Sequence, residues 1–124
     1  NLTKNNTKGN LILALNYGSQ KEILKAVKEI SGKVKEGEID IEDIDEKLFE
    51  DHLYTKDFPP VDLLLRTSGE IRISNFLLWQ IAYAELQFLD VLWPDFSKED
   101  FFKSIVKYQS TERRFGKTSE QLSK

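Results

Sequence analysis

The chain has 124 residues, 40% of them hydrophobic, enough for one packed domain and too many for a disordered segment. Its formal net charge of −3 gives no general attraction to nucleic acid or anionic lipid, so any anion site must be local and no nucleic-acid partner is expected. Without cysteine there is no disulfide, thiolate nucleophile or Cys-ligated zinc, and the single histidine, His52, cannot form a histidine-rich centre; a resident metal would be a hard, oxygen-bound cation.

Residues 1–10, NLTKNNTKGN, are polar and suit a surface loop, and flexible ends are expected at about 1–8 and 117–124. LILAL (11–15) is short and apolar, as expected of a buried strand, and NYGS (16–19) turns the chain. Ser19 and Glu22 have capping-box spacing, and Ile23, Leu24, Ala26, Val27 and Ile30 recur at helical spacing up to Gly32. Residues 36–51 hold nine acids against one base, Lys47, and read as a solvated segment with a short helix near 42–52, without the spacing of a calcium loop. His52, just beyond, reads as a surface or packing histidine.

FPPVDLLLR (58–66) is a proline-marked entry to a second apolar strand. From Ser74, FLLWQIAYAE is apolar nearly all round a helical wheel, so a deeply buried helix is expected, with Gln80 and Glu85 in need of partners. LQFLDVLW (86–93) reads as a third strand ended by Pro94. Ser97 and Asp100 then start a last helix bearing Phe101, Phe102, Ile105, Val106 and Tyr108. Continuous apolar strands joined through helices indicate an α/β fold, a mostly parallel sheet with helices on both faces, with residues 1–124 forming a single segment.

Within DLLLRTSGEIRISNF (62–76), Arg66 closes a strand, and open parallel sheets bind ligands beyond the carboxyl ends of their strands. A helix starting near Ser74 and Asn75 would aim free N–H groups and a partial positive charge at the same place. Two guanidinium forks, a hydroxyl and a helix terminus suit a phosphate or diphosphate. The same residues also suit structural ion pairs, Arg66 with Glu70 and Arg72 with another acid, and the local pattern leaves both readings open. Glu85, at the end of an apolar helix, calls for Mg²⁺ or a structural arginine. Arg113 and Arg114 read as a solvated basic end, with Gly116 hinting at a specified backbone shape.

RTSGEIRISNFLLWQIAYAEL (66–86), WPDF (93–96), ERRFG (112–116) and GNLILALNYGSQKEI (9–23) together resemble the C-terminal half of the cis-prenyltransferases, the family that includes bacterial undecaprenyl diphosphate synthase. The resemblance implies that this segment is the C-terminal portion of that fold, its N-terminal portion absent. It implies that Arg66, Arg72, Ile73 and Ser74 bind the diphosphate of isopentenyl diphosphate and that Glu85 takes part in a Mg²⁺ site. It implies a homodimer in which Arg114 and Gly116, of Arg114-Phe115-Gly116, help close the partner's active site. The family's reaction ionises an allylic diphosphate, farnesyl diphosphate being the expected one, adds isopentenyl units with cis double bonds and loses a proton each time. The expected product is a long-chain polyprenyl diphosphate such as undecaprenyl diphosphate, precursor of a cell-wall lipid carrier, with transient membrane association through that product.

There are departures. Asn16-Tyr17-Gly18-Ser19-Gln20 lacks an arginine often found at that turn, and Ile71 stands where some members carry a histidine near the metal. The family's Asp-Gly-Asn-Gly-Arg segment, whose aspartate binds the Mg²⁺–allylic diphosphate, does not occur in these residues. The segment is therefore expected to hold no catalytic residue and to be inactive alone, as part of a longer parent. The alternative is a non-catalytic subunit or phosphate-binding module that lends its tail to a separate catalytic chain. No apolar run approaches the ~20 residues that span a bilayer and no signal-peptide pattern opens the chain, so a cytoplasmic protein is expected.

Overall fold

The computed structural model describes residues 2–111, so Arg114, Gly116 and the expected flexible end at 117–124 lie outside the described residues. In order, the elements are helix α1 (Ser19–Glu36), a 3₁₀ turn (Ile41–Asp43), helix α2 (Glu46–Glu50), strand β1 (Leu63–Arg66), strand β2 (Glu85–Phe88), a second 3₁₀ turn (Trp93–Asp95) and helix α3 (Lys98–Ser110).

β1 and β2 are parallel, with Leu63 opposite Glu85 and Arg66 opposite Phe88. Their pairing is prolonged by Leu89 N–H donating to Arg66 O at 2.7 Å and by Ser68 and Gly69 N–H groups donating to Val91 and Leu89 carbonyls at 2.8 Å each. The α/β class with a parallel sheet is as the apolar runs indicate. α3 starts where expected: Ser97 Oγ accepts from Asp100 N–H while the Asp100 carboxylate accepts from Ser97 N–H, a complete capping box. The acid-rich segment spends its carboxylates on its own turns, Asp40 capping Glu42 N–H and Asp45 capping Leu48 N–H. His52 is a packing histidine, its Nδ1 2.8 Å from Leu48 O and its Nε2 3.1 Å from Lys33 Nζ, which ties α2 to α1.

Three expectations are corrected. The run 11–15 forms no strand, and Leu11, Leu13 and Leu15 are exposed; a strand is stable only when its backbone groups meet a neighbour, and the segment has no ladder partner among the described residues. α1 runs past Gly32 to Glu36 and stops at Gly37, whose φ of 74° is the left-handed conformation that ends helices. Its inward stripe is Ser19, Glu22, Ala26 and Ile30, so Leu24 and Val27 face outward, and Ser19 lies inside the helix rather than capping it.

The third correction concerns residues 74–84, which form a string of turns rather than a buried helix. Ser74, Asn75 and Leu77 have φ of 51°, 61° and 47°, each a left-handed residue that a right-handed helix cannot absorb, at about 1–2 kcal/mol apiece. Bonds made to α1 offset that cost. Asn75 caps the helix: its carbonyl accepts from Ser19 N–H at 2.9 Å and its Oδ1 from Gln20 N–H at 2.8 Å. Ser19 Oγ in return accepts from Leu78 N–H at 2.9 Å. The close approach explains Gly18, where a Cβ would come within 2.9 Å of Asn75 Nδ2. Phe76, Leu78 and Tyr83 remain partly exposed, and the buried apolar core is small: Ala26, Ile30, Leu53 and Leu64.

Candidate functional site

Three of the expected site residues meet at the carboxyl end of β1. Arg66 Nη1 donates to Ser74 Oγ at 3.2 Å, and its Nη2 donates to Glu70 Oε2 at 2.8 Å. Arg72 Nη2 donates to the same carboxylate oxygen, so one acid stands between both guanidinium groups. The Arg66 guanidinium beside it, with Arg72 adding, holds the Glu70 carboxyl below its ordinary range. Both ion-pair partners are thus the single Glu70. The turn that delivers it depends on Gly69, with φ of 66° and the Asp90 carboxylate 3.1 Å from where a Cβ would sit.

Arg66 is the more enclosed fork, its side chain 25% exposed against 60% for Arg72. Ile73 is half-buried beside them, its carbonyl accepting from Phe76 N–H at 3.2 Å. The helix terminus expected at Ser74 and Asn75 is not there, so no helix dipole adds to this site. The first N–H groups of α1 are likewise occupied, those of Ser19 and Gln20 by Asn75 and those of Lys21 and Glu22 by the Gly18 carbonyl. The positive charge here comes from the two side chains alone. The cluster is open to solvent, and shares no lining residue with a hollow of about 730 Å³ lined by α2 and by residues from 53–61 and 78–83.

Glu85 lies elsewhere. It starts β2, opposite Leu63, three residue steps before the pair formed by Arg66 and Phe88, or about 10 Å along the strands. Its Oε1 accepts from Gln87 Nε2 at 2.7 Å, while its Oε2 is buried with no hydrogen-bond partner. No group of three or more His, Cys, Asp or Glu side chains that could hold a metal is formed among the described residues. One free, hard carboxylate oxygen still fits Mg²⁺, which takes one or two protein carboxylates and fills its shell with phosphate oxygens and water.

A second polar centre escaped the sequence reading. Glu22, 1% exposed, accepts from the Tyr17 hydroxyl, from Tyr54 N–H at 2.8 Å and from Gln80 Nε2 at 3.2 Å. Gln80 Nε2 also donates to Thr55 Oγ1 at 3.0 Å. This carboxylate therefore joins the 16–18 turn, α1, the 54–55 turn and the 74–84 segment. A legible signal existed: Ser19, Glu22, Ala26 and Ile30 share one helix face, and an acid on a face otherwise made of small and apolar residues needs several donors.

Burial pushes the Tyr17 hydroxyl up from 10.0 to about 12, and its hydrogen bond to Glu22 adds to the shift. A raised folded pKa means that the folded chain holds this proton more tightly than the unfolded one. The resulting stabilisation is complete below pH 10 and is lost as pH rises through about 12. The unfolding midpoint should fall across that window, and Tyr17→Phe should flatten the fall relative to the unsubstituted chain, as read by circular dichroism at each pH.

Comparison with known proteins places these features in a family. Residues 1–116 match the Prenyltransf family model, described as "Putative undecaprenyl diphosphate synthase". The chain is 57% identical over 118 residues to ditrans,polycis-undecaprenyl-diphosphate synthase ((2E,6E)-farnesyl-diphosphate specific) of Haemophilus influenzae, covering 95% of this chain and 49% of that protein. It is 54% identical to tritrans,polycis-undecaprenyl-diphosphate synthase (geranylgeranyl-diphosphate specific) of Methanocaldococcus jannaschii, covering 93% of this chain and 42% of that one. The chain spans about half the length of the curated relatives it matches. Among solved structures, lavandulyl diphosphate synthase from Lavandula x intermedia, in complex with dimethylallyl diphosphate, superposes with a TM-score of 0.80 at 41% identity, over 83% of this chain and 44% of that one. No described helix is long and apolar enough to cross a membrane. The α/β fold with its parallel strand pair and the match over residues 1–116 together show that the chain belongs to the undecaprenyl diphosphate synthase family of cis-prenyltransferases.

Proposed function

We propose that this chain supplies the isopentenyl diphosphate half-site of a Mg²⁺-dependent cis-prenyltransferase that builds a long-chain polyprenyl diphosphate from an allylic starter such as farnesyl diphosphate. The observation that carries this reading is the convergence of Arg66, Arg72 and Ser74 on one turn at the carboxyl end of β1. Glu70 accepts from both forks. A diphosphate brings more charge and more acceptor oxygens than one carboxylate and displaces it, leaving the guanidinium groups to clamp opposite sides of the anion.

Ser74 Oγ accepts from Arg66, which leaves its own hydrogen free to donate to a phosphate oxygen. Ile73 would flank the anion with apolar surface, and the clamp would hold the homoallylic alkene in line for attack. Glu85 would give its free oxygen to Mg²⁺, which when bound neutralises diphosphate charge. Arg114 and Gly116 would complete the site across a homodimer, and the soluble steps would take place in the cytoplasm with membrane contact only through the product. The names of the relatives support the substrate class, isoprenoid diphosphates.

The elongation assay tests the half-site character. The isolated 124-residue chain, which contains no Asp-Gly-Asn-Gly-Arg segment, should bind isopentenyl diphosphate yet yield no longer prenyl diphosphate from farnesyl diphosphate and Mg²⁺. Radiolabelled product from that chain alone would overturn the reading.

A further inference from the structure

Gln87 is 2% exposed and sits two residues after Glu85 on the same face of β2. Its Nε2 donates to Glu85 Oε1 at 2.7 Å and to the Ser104 carbonyl of α3 at 3.2 Å. Both neighbours are acceptors only, so the amide can present only its NH₂ to them; a flipped amide would set oxygen against oxygen. α3 is itself fixed at its start by the Ser97–Asp100 capping box, and Ser104 Oγ donates to Asp100 O at 3.0 Å. A continuous chain of contacts thus runs from a capped helix through a buried amide to one oxygen of Glu85, and stops there. The other oxygen, Oε2, is buried without a partner.

We infer that Gln87 is a positioning residue for Glu85, holding Oε1 so that Oε2 is presented to a divalent cation. The inference rests on the proposed role of Glu85 as a Mg²⁺ ligand and extends it to a residue outside the coordination shell. A carboxylate with both oxygens loose must give up rotamer freedom on binding a metal, whereas one already pinned at Oε1 gives up less.

The test uses the full-length protein that carries these residues and reads Mn²⁺ binding by electron paramagnetic resonance in the presence of isopentenyl diphosphate. Gln87→Met keeps the side-chain length and removes the amide. It should weaken Mn²⁺ binding about 10- to 100-fold, the range seen when a partner of a metal ligand is removed. Isopentenyl diphosphate affinity in metal-free buffer should be unchanged. Glu85→Gln should lose at least as much Mn²⁺ affinity, and the double variant no more than Glu85→Gln alone, because the amide acts only through the carboxylate. Unchanged Mn²⁺ affinity in Gln87→Met alongside a loss in Glu85→Gln overturns the positioning role and leaves Glu85 as a ligand. No loss in Glu85→Gln overturns both. Parallel loss of Mn²⁺ affinity and metal-free substrate affinity in Gln87→Met, with a lower unfolding midpoint, also overturns it by assigning the amide to the fold.

Discussion

Arg66→Ala should weaken isopentenyl diphosphate binding about 10- to 100-fold, the equivalent of the roughly 1.5–3 kcal/mol that a hydrogen bond to a charged partner contributes. Arg72→Ala should cost less, because its fork is more than twice as exposed and solvent and salt screen it more. The two variants should differ in salt dependence: the contribution of Arg72 fades as ionic strength rises, while that of Arg66 persists. Stability separates this account from one in which both arginines serve only as ion-pair partners of Glu70. A surface ion pair contributes about 0–1 kcal/mol, so Arg72→Ala should unfold close to the unsubstituted chain, and Arg66→Ala, whose pair is partly enclosed, should lose no more than about 1 kcal/mol. Calorimetric titration with isopentenyl diphosphate and denaturant unfolding of the same samples check the two halves; lost stability with unchanged affinity would make the cluster structural.

Glu22→Leu should be strongly destabilising, at about 3 kcal/mol or more. The leucine fills a similar volume but leaves the Tyr17 hydroxyl, Tyr54 N–H and part of the Gln80 amide buried without an acceptor, at roughly 1–3 kcal/mol each. Glu22→Gln keeps one acceptor oxygen and should cost clearly less. The effect should reach the substrate turn, since the 74–84 segment that Glu22 holds through Gln80 begins at Ser74. Urea unfolding of both variants gives the stability order, and equal midpoints for Leu and Gln would remove Glu22 from its place as the centre of the network.

What could be read in the sequence followed from how local each cause is. β1, β2 and the capping box of α3 depend on short runs and on spacings of three residues, and β1 and the capping box appear where the sequence indicates, whereas β2 spans only Glu85–Phe88 of the strand expected over 86–93 and takes in Glu85, expected at a helix end. The spacing of Arg66 and Glu70 likewise contained their ion pair. Residues 11–15 and 74–84 depend on what covers them. A strand needs a neighbour and an all-round apolar helix needs cover on every side, and neither requirement is a property of the segment itself. The chain at 74–78 instead satisfies the N-terminus of α1 through Asn75 and Ser19, a pairing of residues 55 or more positions apart that no local pattern announces. The loss of the expected helix also removed its dipole from the site, so the anion-binding case rests on Arg66, Arg72 and Ser74 rather than on a helix end.

Glu70 decides between the two readings of the arginine cluster, because it now occupies the position assigned to substrate. The most direct measurement is a crystal structure of the protein with isopentenyl diphosphate bound. The account predicts diphosphate oxygens within hydrogen-bond distance of both guanidinium groups and of Ser74 Oγ, with the Glu70 carboxylate turned away from Arg66 and Arg72. A diphosphate bound elsewhere, with Glu70 still bridging the two arginines, would contradict it.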